Sequence, residues 1–383
     1  MEVTLAGLAA DPHPLLARLR AGAPVCWVPA LNAWLVTGYD LAVRVLRDPE
    51  TFTVDDPRFS TARVVGPSML SLDGAEHARH RDPFGAPFRR PAVRARFTAF
   101  IESEVDRLVG AIRPAGAADL RGAVAGPLAA AVMARALGLS DVDSAVVRSW
   151  YAAIVAAVSE VTAGNPVGAP ARAAVDALGG AVVRALAAPG PSLLAEAADR
   201  LRPAEIVSNA AVLLFGGIDT TEGMITNALL HLLTHPEAHA AVTADPALLS
   251  DAVEESLRLE PAAAVVDRYA TRDTTLAGTP VRRGDLVTVS LAAANRDPAV
   301  FGDPDRFHLG RRNARAHLAF ATGPHFCPGA QLARTETGAA IRALLALPAL
   351  RLPDAPAPYG LIFRKPPALH ARWTRAGTVT RLR

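Results

Sequence analysis

Cysteine is almost missing from this chain of 383 residues: Cys26 and Cys327 are the only two, far apart in sequence. So few and so distant thiols imply no disulfide framework, and a reducing cytosol suits them. Lysine is scarcer still, with Lys365 alone against 39 arginines. With alanine also abundant, that usage suggests a high-GC bacterial genome more than a function. Charge of one sign is nearly absent too: the net charge is +3, and no lysine-rich or arginine-rich run occurs. A nucleic-acid partner is therefore not expected. No stretch of about 18 uncharged apolar residues is present, which argues against a membrane span. The first residues lack a basic region and acquire an acid at Asp11, unlike a signal peptide. A cytoplasmic protein is expected.

What is present is apolar, at 51% hydrophobic residues, enough for one large domain or two ordinary ones. Residues 24–37 read as two short strands around Asn32, the first of them an edge strand that buries Cys26, and Tyr39 to Arg47 reads as a helix. Residues 53–70 look irregular, punctuated by Pro57, Gly66 and Pro67. Alanine-rich helical patterns then follow to about residue 260, with breaks at Pro114, Gly116, Gly164, Pro166, Pro189, Pro191 and Pro203. β-branched and turn residues dominate from Val265 to Ser290. A meander, a glycine-punctuated cysteine loop, a helix to about Leu345 and a short β-rich tail complete the chain. No repeat or linker interrupts it, so one mainly α domain with a minor β region is expected over residues 1–383.

The loop reads Phe320-Ala-Thr-Gly323-Pro-His325-Phe-Cys327-Pro-Gly329 and passes at once into a helical pattern. Its glycines permit backbone geometry that other residues resist, and close approach to a flat ligand. The helix that follows aims its N-terminal N–H groups at the sulfur, which favours thiolate over thiol. A buried structural cysteine beside a turn is the bland alternative. The segment resembles the haem-binding loop of the cytochrome P-450 family. That resemblance makes Cys327 the proximal ligand of a haem b iron, with Phe320, Gly323 and Gly329 shaping the loop. Ala321 stands where the family usually has glycine.

Pro203 to His235 reads as one long helix, roughly 45–50 Å at 1.5 Å per residue. Its centre is Phe215-Gly216-Gly217-Ile218-Asp219-Thr220-Thr221. Two adjacent glycines cost about 1 kcal/mol each in a helix interior. With Asp219 and Thr220 beside them they point to a local opening against a ligand; close helix packing is the alternative for Gly216 and Gly217 taken alone. The stretch resembles the family's distal helix, which implies that Thr220 supplies a hydroxyl and Asp219 relays protons. Glu222 is expected to be solvated or capping.

Glu255 and Arg258 are three apart, on one helical face. Followed by Asn295-Arg-Asp-Pro298 and Pro304-Asp-Arg306-Phe307, they resemble the family's buried bracing cluster, with Arg306 as its second arginine. By the same resemblance His77, Arg81, Arg268 and His325 meet the haem propionates, against the plainer reading of exposed basic side chains. Pro83 and Pro87 interrupt the segment that carries His77 and Arg81.

The resemblance runs from about Pro24 to Trp373. It implies a soluble bacterial-type monooxygenase, with haem between the distal helix and the cysteine loop. Substrate, dioxygen and a ferredoxin-type electron donor would be its partners, the electrons coming from NAD(P)H. Arg79, Arg89, Arg90, Arg94, Arg311 and Arg315 are expected to form a basic docking face for that donor. The pocket would draw on residues 53–70, 160–185, 213–217, 262–266 and 361–363, which suit a moderately sized apolar molecule, with secondary metabolism as a setting. Rival readings are a peroxygenase or oxidative coupling enzyme on the same fold, and a haem-based gas sensor. Neither peroxide use nor gas sensing needs the Asp219–Thr220 pair.

Overall fold

The computed structural model describes residues 3–375 apart from 140, 189 and 191, so two of the expected helix breaks, Pro189 and Pro191, lie outside it. Valine- and threonine-rich segments build a five-stranded sheet in the order Val25–Val28, Ala33–Val36, Leu286–Ser290, Val265–Ala270, Phe52–Thr53. Only the Ala33–Val36 and Leu286–Ser290 pair is parallel. The turn joining the first two strands places Asn32 at φ 48°, a left-handed conformation that asparagine tolerates. Val25–Val28 is the edge strand expected, with Cys26 half-buried. The irregular stretch at 53–70 contains a short helix, Ser60–Val65, closed by Gly66 at φ 88°.

The rest is helical, and its alanines let the helices pack closely. Ala125, Ala129 and Ala130 are fully buried in the largest apolar cluster, beside Leu128, Leu214, Leu229 and Leu344. The helix Asp219–Thr234 lies at the centre, against Gly126–Leu137, Leu249–Leu259 and Ala330–Leu345. One helix, Ser144–Thr162, is long and apolar enough to cross a membrane by length and composition. It packs within the fold against Ser60–Val65, Gly126–Leu137 and Ala169–Ala187.

A buried ionic cluster ties the meander after the sheet to this helical body. Glu255 and Arg258 are wholly inaccessible and form a two-point ion pair of 2.8 and 2.9 Å. Arg258 also donates to the carbonyls of Asn295, Pro304 and Arg306. Burial alone would raise the Glu255 carboxyl. Arg258, Arg311 and the His308 N–H outweigh it and hold that carboxyl below the usual range. The second arginine is Arg311 at 2.9 Å, and not Arg306 as expected. Arg306 is exposed and contributes only its backbone oxygen. Arg311 is thereby also removed from the expected docking face.

Stranding one charge of a buried pair costs about 3–5 kcal/mol. Glu255→Ala and Arg311→Ala should both lose stability on that scale in denaturant unfolding, whereas Arg306→Ala should stay within about 0.5 kcal/mol of the parent. Equal losses for the two arginine variants would refute the Arg311 assignment.

Candidate active site

The cysteine loop is fixed by short-range bonds and by contact with the helix Tyr39–Arg47. The Cys327 N–H donates to the Phe320 carbonyl at 2.9 Å, and the Phe326 N–H to that of Gly323 at 3.1 Å. Gly323 has φ 76°, and a Cβ there would fall 2.4 Å from the Leu46 carbonyl oxygen, so only glycine fits. Phe320 is buried beneath the Arg334 guanidinium, 4.5 Å from its ring centre. Arg334 in turn pairs with Glu254 at 2.6 Å, fastening the Ala330–Leu345 helix to Leu249–Leu259. Gly329 caps the Ala330–Leu345 helix directly after Cys327.

Burial pushes the Cys327 thiol up. The N–H groups of Gly329 and Ala330 and the charges of Arg81 and Arg334 pull it down without reversing the shift. The helix terminus therefore pulls toward the thiolate, in the direction expected, and burial outweighs it.

A basic cradle flanks the loop. Arg81 donates to the Phe326 carbonyl despite Pro83, which the helix Gly74–Gly85 accommodates in its last turn. The His77 and His325 rings lie 4.3 Å apart. His325 Nε2 is engaged by Asp73 at 2.8 Å, so this nitrogen is not free for another anion as expected. Burial would raise Asp73, but hydrogen bonds from His325, Thr53 and the Val54 N–H hold it at about 2. His77 is buried, its Nε2 has no hydrogen-bond partner, and burial followed by the charges of His325 and Arg81 lowers it to about 4. Arg268 is 5% exposed and donates to the Asp267 carbonyl at 2.7 Å, with no salt bridge among the described residues. Burial lowers it to about 10.

The long helix is two helices, Pro203–Gly217 and Asp219–Thr234, interrupted at Ile218. The two glycines have different uses. A Cβ on Gly217 would lie 2.5 Å from Met133 Sδ, so this glycine serves helix packing; a Cβ on Gly216 would meet nothing within 4 Å. Thr220 Oγ1 donates back to the Gly216 carbonyl, a bond that bends helices. Beside the break, the backbones of 262–264 and 361–363 meet through the Ala263–Phe363 bridge, and the Phe363 ring contacts Phe215 at 5.4 Å.

Three residues there carry roles that the sequence reading missed. Lys365 forms an ion pair with Asp219 and another of 3.2 Å with Glu222. Glu222 is 4% exposed and also paired with Arg121, so it is neither solvated nor a cap. A lone lysine was the visible signal, since every other basic chain of this length is arginine. On the expected docking face, Arg79 is bound to Glu76 and Glu205, while Arg89, Arg90 and Arg94 are exposed. In the 53–70 stretch, Arg58 is held by Asp56 at 2.8 Å.

Comparison with known proteins agrees with this geometry. The family model described as Cytochrome P450 matches residues 192–352. The chain is 37% identical over 360 residues to cytochrome P450 monooxygenase PikC of Streptomyces venezuelae, spanning 88% of this chain and 84% of that one. It is 34% identical to nocardicin C N-oxygenase of Nocardia uniformis subsp. tsuyamanensis, spanning 96% of each. The crystal structure of CalO2 superposes with a TM-score of 0.88 at 32% identity, over 96% of this chain and 97% of that one.

Ala321 adopts φ 57°, where a side chain is strained by roughly 1–2 kcal/mol. Ala321→Gly should therefore raise unfolding stability by about 1 kcal/mol, after the greater freedom of glycine in the unfolded chain is subtracted. An unchanged or lower denaturation midpoint would contradict this strain.

Proposed function

Because the chain belongs to the cytochrome P450 family, we propose that it is a single-domain haem-thiolate monooxygenase that oxidises a moderately sized apolar organic molecule. Haem b is the prosthetic group of that family, and the residues around Cys327 fit it. A half-buried sulfur on a fixed loop suits an iron ligand. The buried Arg268 without a salt bridge, the unpartnered His77 Nε2 and Arg81 suit a pair of carboxylates. When bound, haem with a thiolate ligand supplies the redox chemistry that activates dioxygen and puts one oxygen atom into substrate.

The chain's own residues hold and move protons on the other side. Thr220 presents its hydroxyl at the helix break, Asp219 carries protons to it, and Gly216 leaves the backbone open there. Phe215, Ala262, Ala263, Ile362 and Phe363 supply apolar walls, which fit an uncharged substrate. The relative named for N-oxygenation of nocardicin C supports a place in secondary metabolism. Electrons from NAD(P)H would come through a separate ferredoxin, and exposed Arg89, Arg90 and Arg94 suit an acidic donor. Two free, distant cysteines fit a cytoplasmic enzyme.

The observation that carries this reading is the Asp219–Thr220 helix break, on a helix packed against the one that follows Cys327. With a substrate found by absorbance-shift screening, Thr220→Ala should still consume NAD(P)H and oxygen but release peroxide in place of product. A positioned proton-transfer group is worth roughly 10²–10⁴-fold, so the loss of product per electron will be large. Asp219→Asn should instead slow oxygen consumption. Unchanged product yield in Thr220→Ala would refute the relay and favour direct use of peroxide.

A further inference from the structure

The only lysine in the chain bonds to the residue proposed to relay protons. Its backbone is fixed: the Lys365 N–H donates to the Tyr359 carbonyl, and Asn227 Nδ2 donates to the Arg364 carbonyl at 3.0 Å. Gly223 lets this segment approach the Asp219–Thr234 helix; a Cβ there would stand 2.8 Å from Ala262 Cβ and 3.6 Å from Lys365 Cβ. The side chain is left to move, and its ammonium bridges Asp219 and Glu222. Arg121 pairs with the same Glu222 oxygen, Oε1, and is the solvent-facing end of the row, 31% exposed. Arg148 approaches from the Ser144–Thr162 helix. So does Tyr151, whose buried hydroxyl faces the Asp219 carboxylate. Burial first, then the Asp219 charge, pushes that phenol up.

Neither relay residue bonds to the other: Asp219 is engaged by Lys365, and Thr220 by the Gly216 carbonyl. An arginine fork would grip a carboxylate at two points, whereas a lysine ammonium is a single mobile charge. We infer that Lys365 is a positioning residue that latches Asp219 between turnovers and passes to Glu222 to release it toward Thr220 and Tyr151. This inference rests on the relay proposed above.

The haem-loaded enzyme, with NADPH, a plant-type ferredoxin and its reductase and no added substrate, tests it through oxygen consumption. Lys365→Met should consume oxygen several-fold faster than the parent, and Lys365→Arg several-fold slower. The gain should vanish when Asp219→Asn is added. A merely structural lysine would lower both variants or leave both unchanged, and either result overturns the latch. Should Lys365→Met not load haem, Lys365→Gln is read by the same rule. Unfolding of the loaded protein gives a second readout. Asp219→Asn should shift the unfolding equilibrium by about tenfold more in the parent than in the Lys365→Met background, and additive costs overturn the grip. If Asp219→Asn alone leaves oxygen consumption unchanged, the relay itself fails; if it slows consumption while Lys365→Met brings no gain, only the latch fails.

Discussion

A carboxylate without access to water, Glu255, holds the two halves of the site in register. It is tolerable only because two guanidiniums and a backbone N–H meet it. Through Arg258 and Arg311 the same cluster fastens the carbonyls of residues 295–306, the stretch leading to the cysteine loop. Glu254, next in the chain, grips Arg334 on the helix after Cys327. Two adjacent acids on one helix thus brace the loop from both its approach and its exit.

The opposite side works by interruption instead of bracing. Gly217 brings the helix onto Met133, Gly216 leaves a face open, and the Thr220 hydroxyl takes the Gly216 carbonyl. The cost of breaking a buried helix is offset by neighbours on every side, from Gly126–Leu137 to Ala330–Leu345. The break leaves an acid and an alcohol, Asp219 and Thr220, only part-buried between two largely buried helices.

Much of this was legible in the sequence. The strands around Asn32, the helix from Tyr39 and the cysteine loop follow from local turn and cap chemistry, which neighbouring residues encode. The break at Ile218 was read as a local opening within one continuous helix, because glycine propensity gives a cost and tertiary packing decides where the helix yields. Arg306 was preferred to Arg311 because spacing along an irregular meander says little about which side chain turns inward. Glu222 looked like a surface acid; its burial depends on Lys365 and Arg121, each more than a hundred residues away. His325 was matched to an anion, and Asp73, 252 positions away, takes its Nε2 instead. Long-range ion pairs of this kind leave no periodic trace.

One sulfur, that of Cys327, decides whether a haem-thiolate centre forms. The most direct measurement is the absorption spectrum of the reduced, carbon monoxide-treated protein, for the parent and for Cys327→Ala supplied with haem. A thiolate ligand gives the parent a strongly red-shifted Soret band, and that band must be lost in the variant. A thiolate-type spectrum persisting in Cys327→Ala, or absent from the haem-loaded parent, would contradict the account.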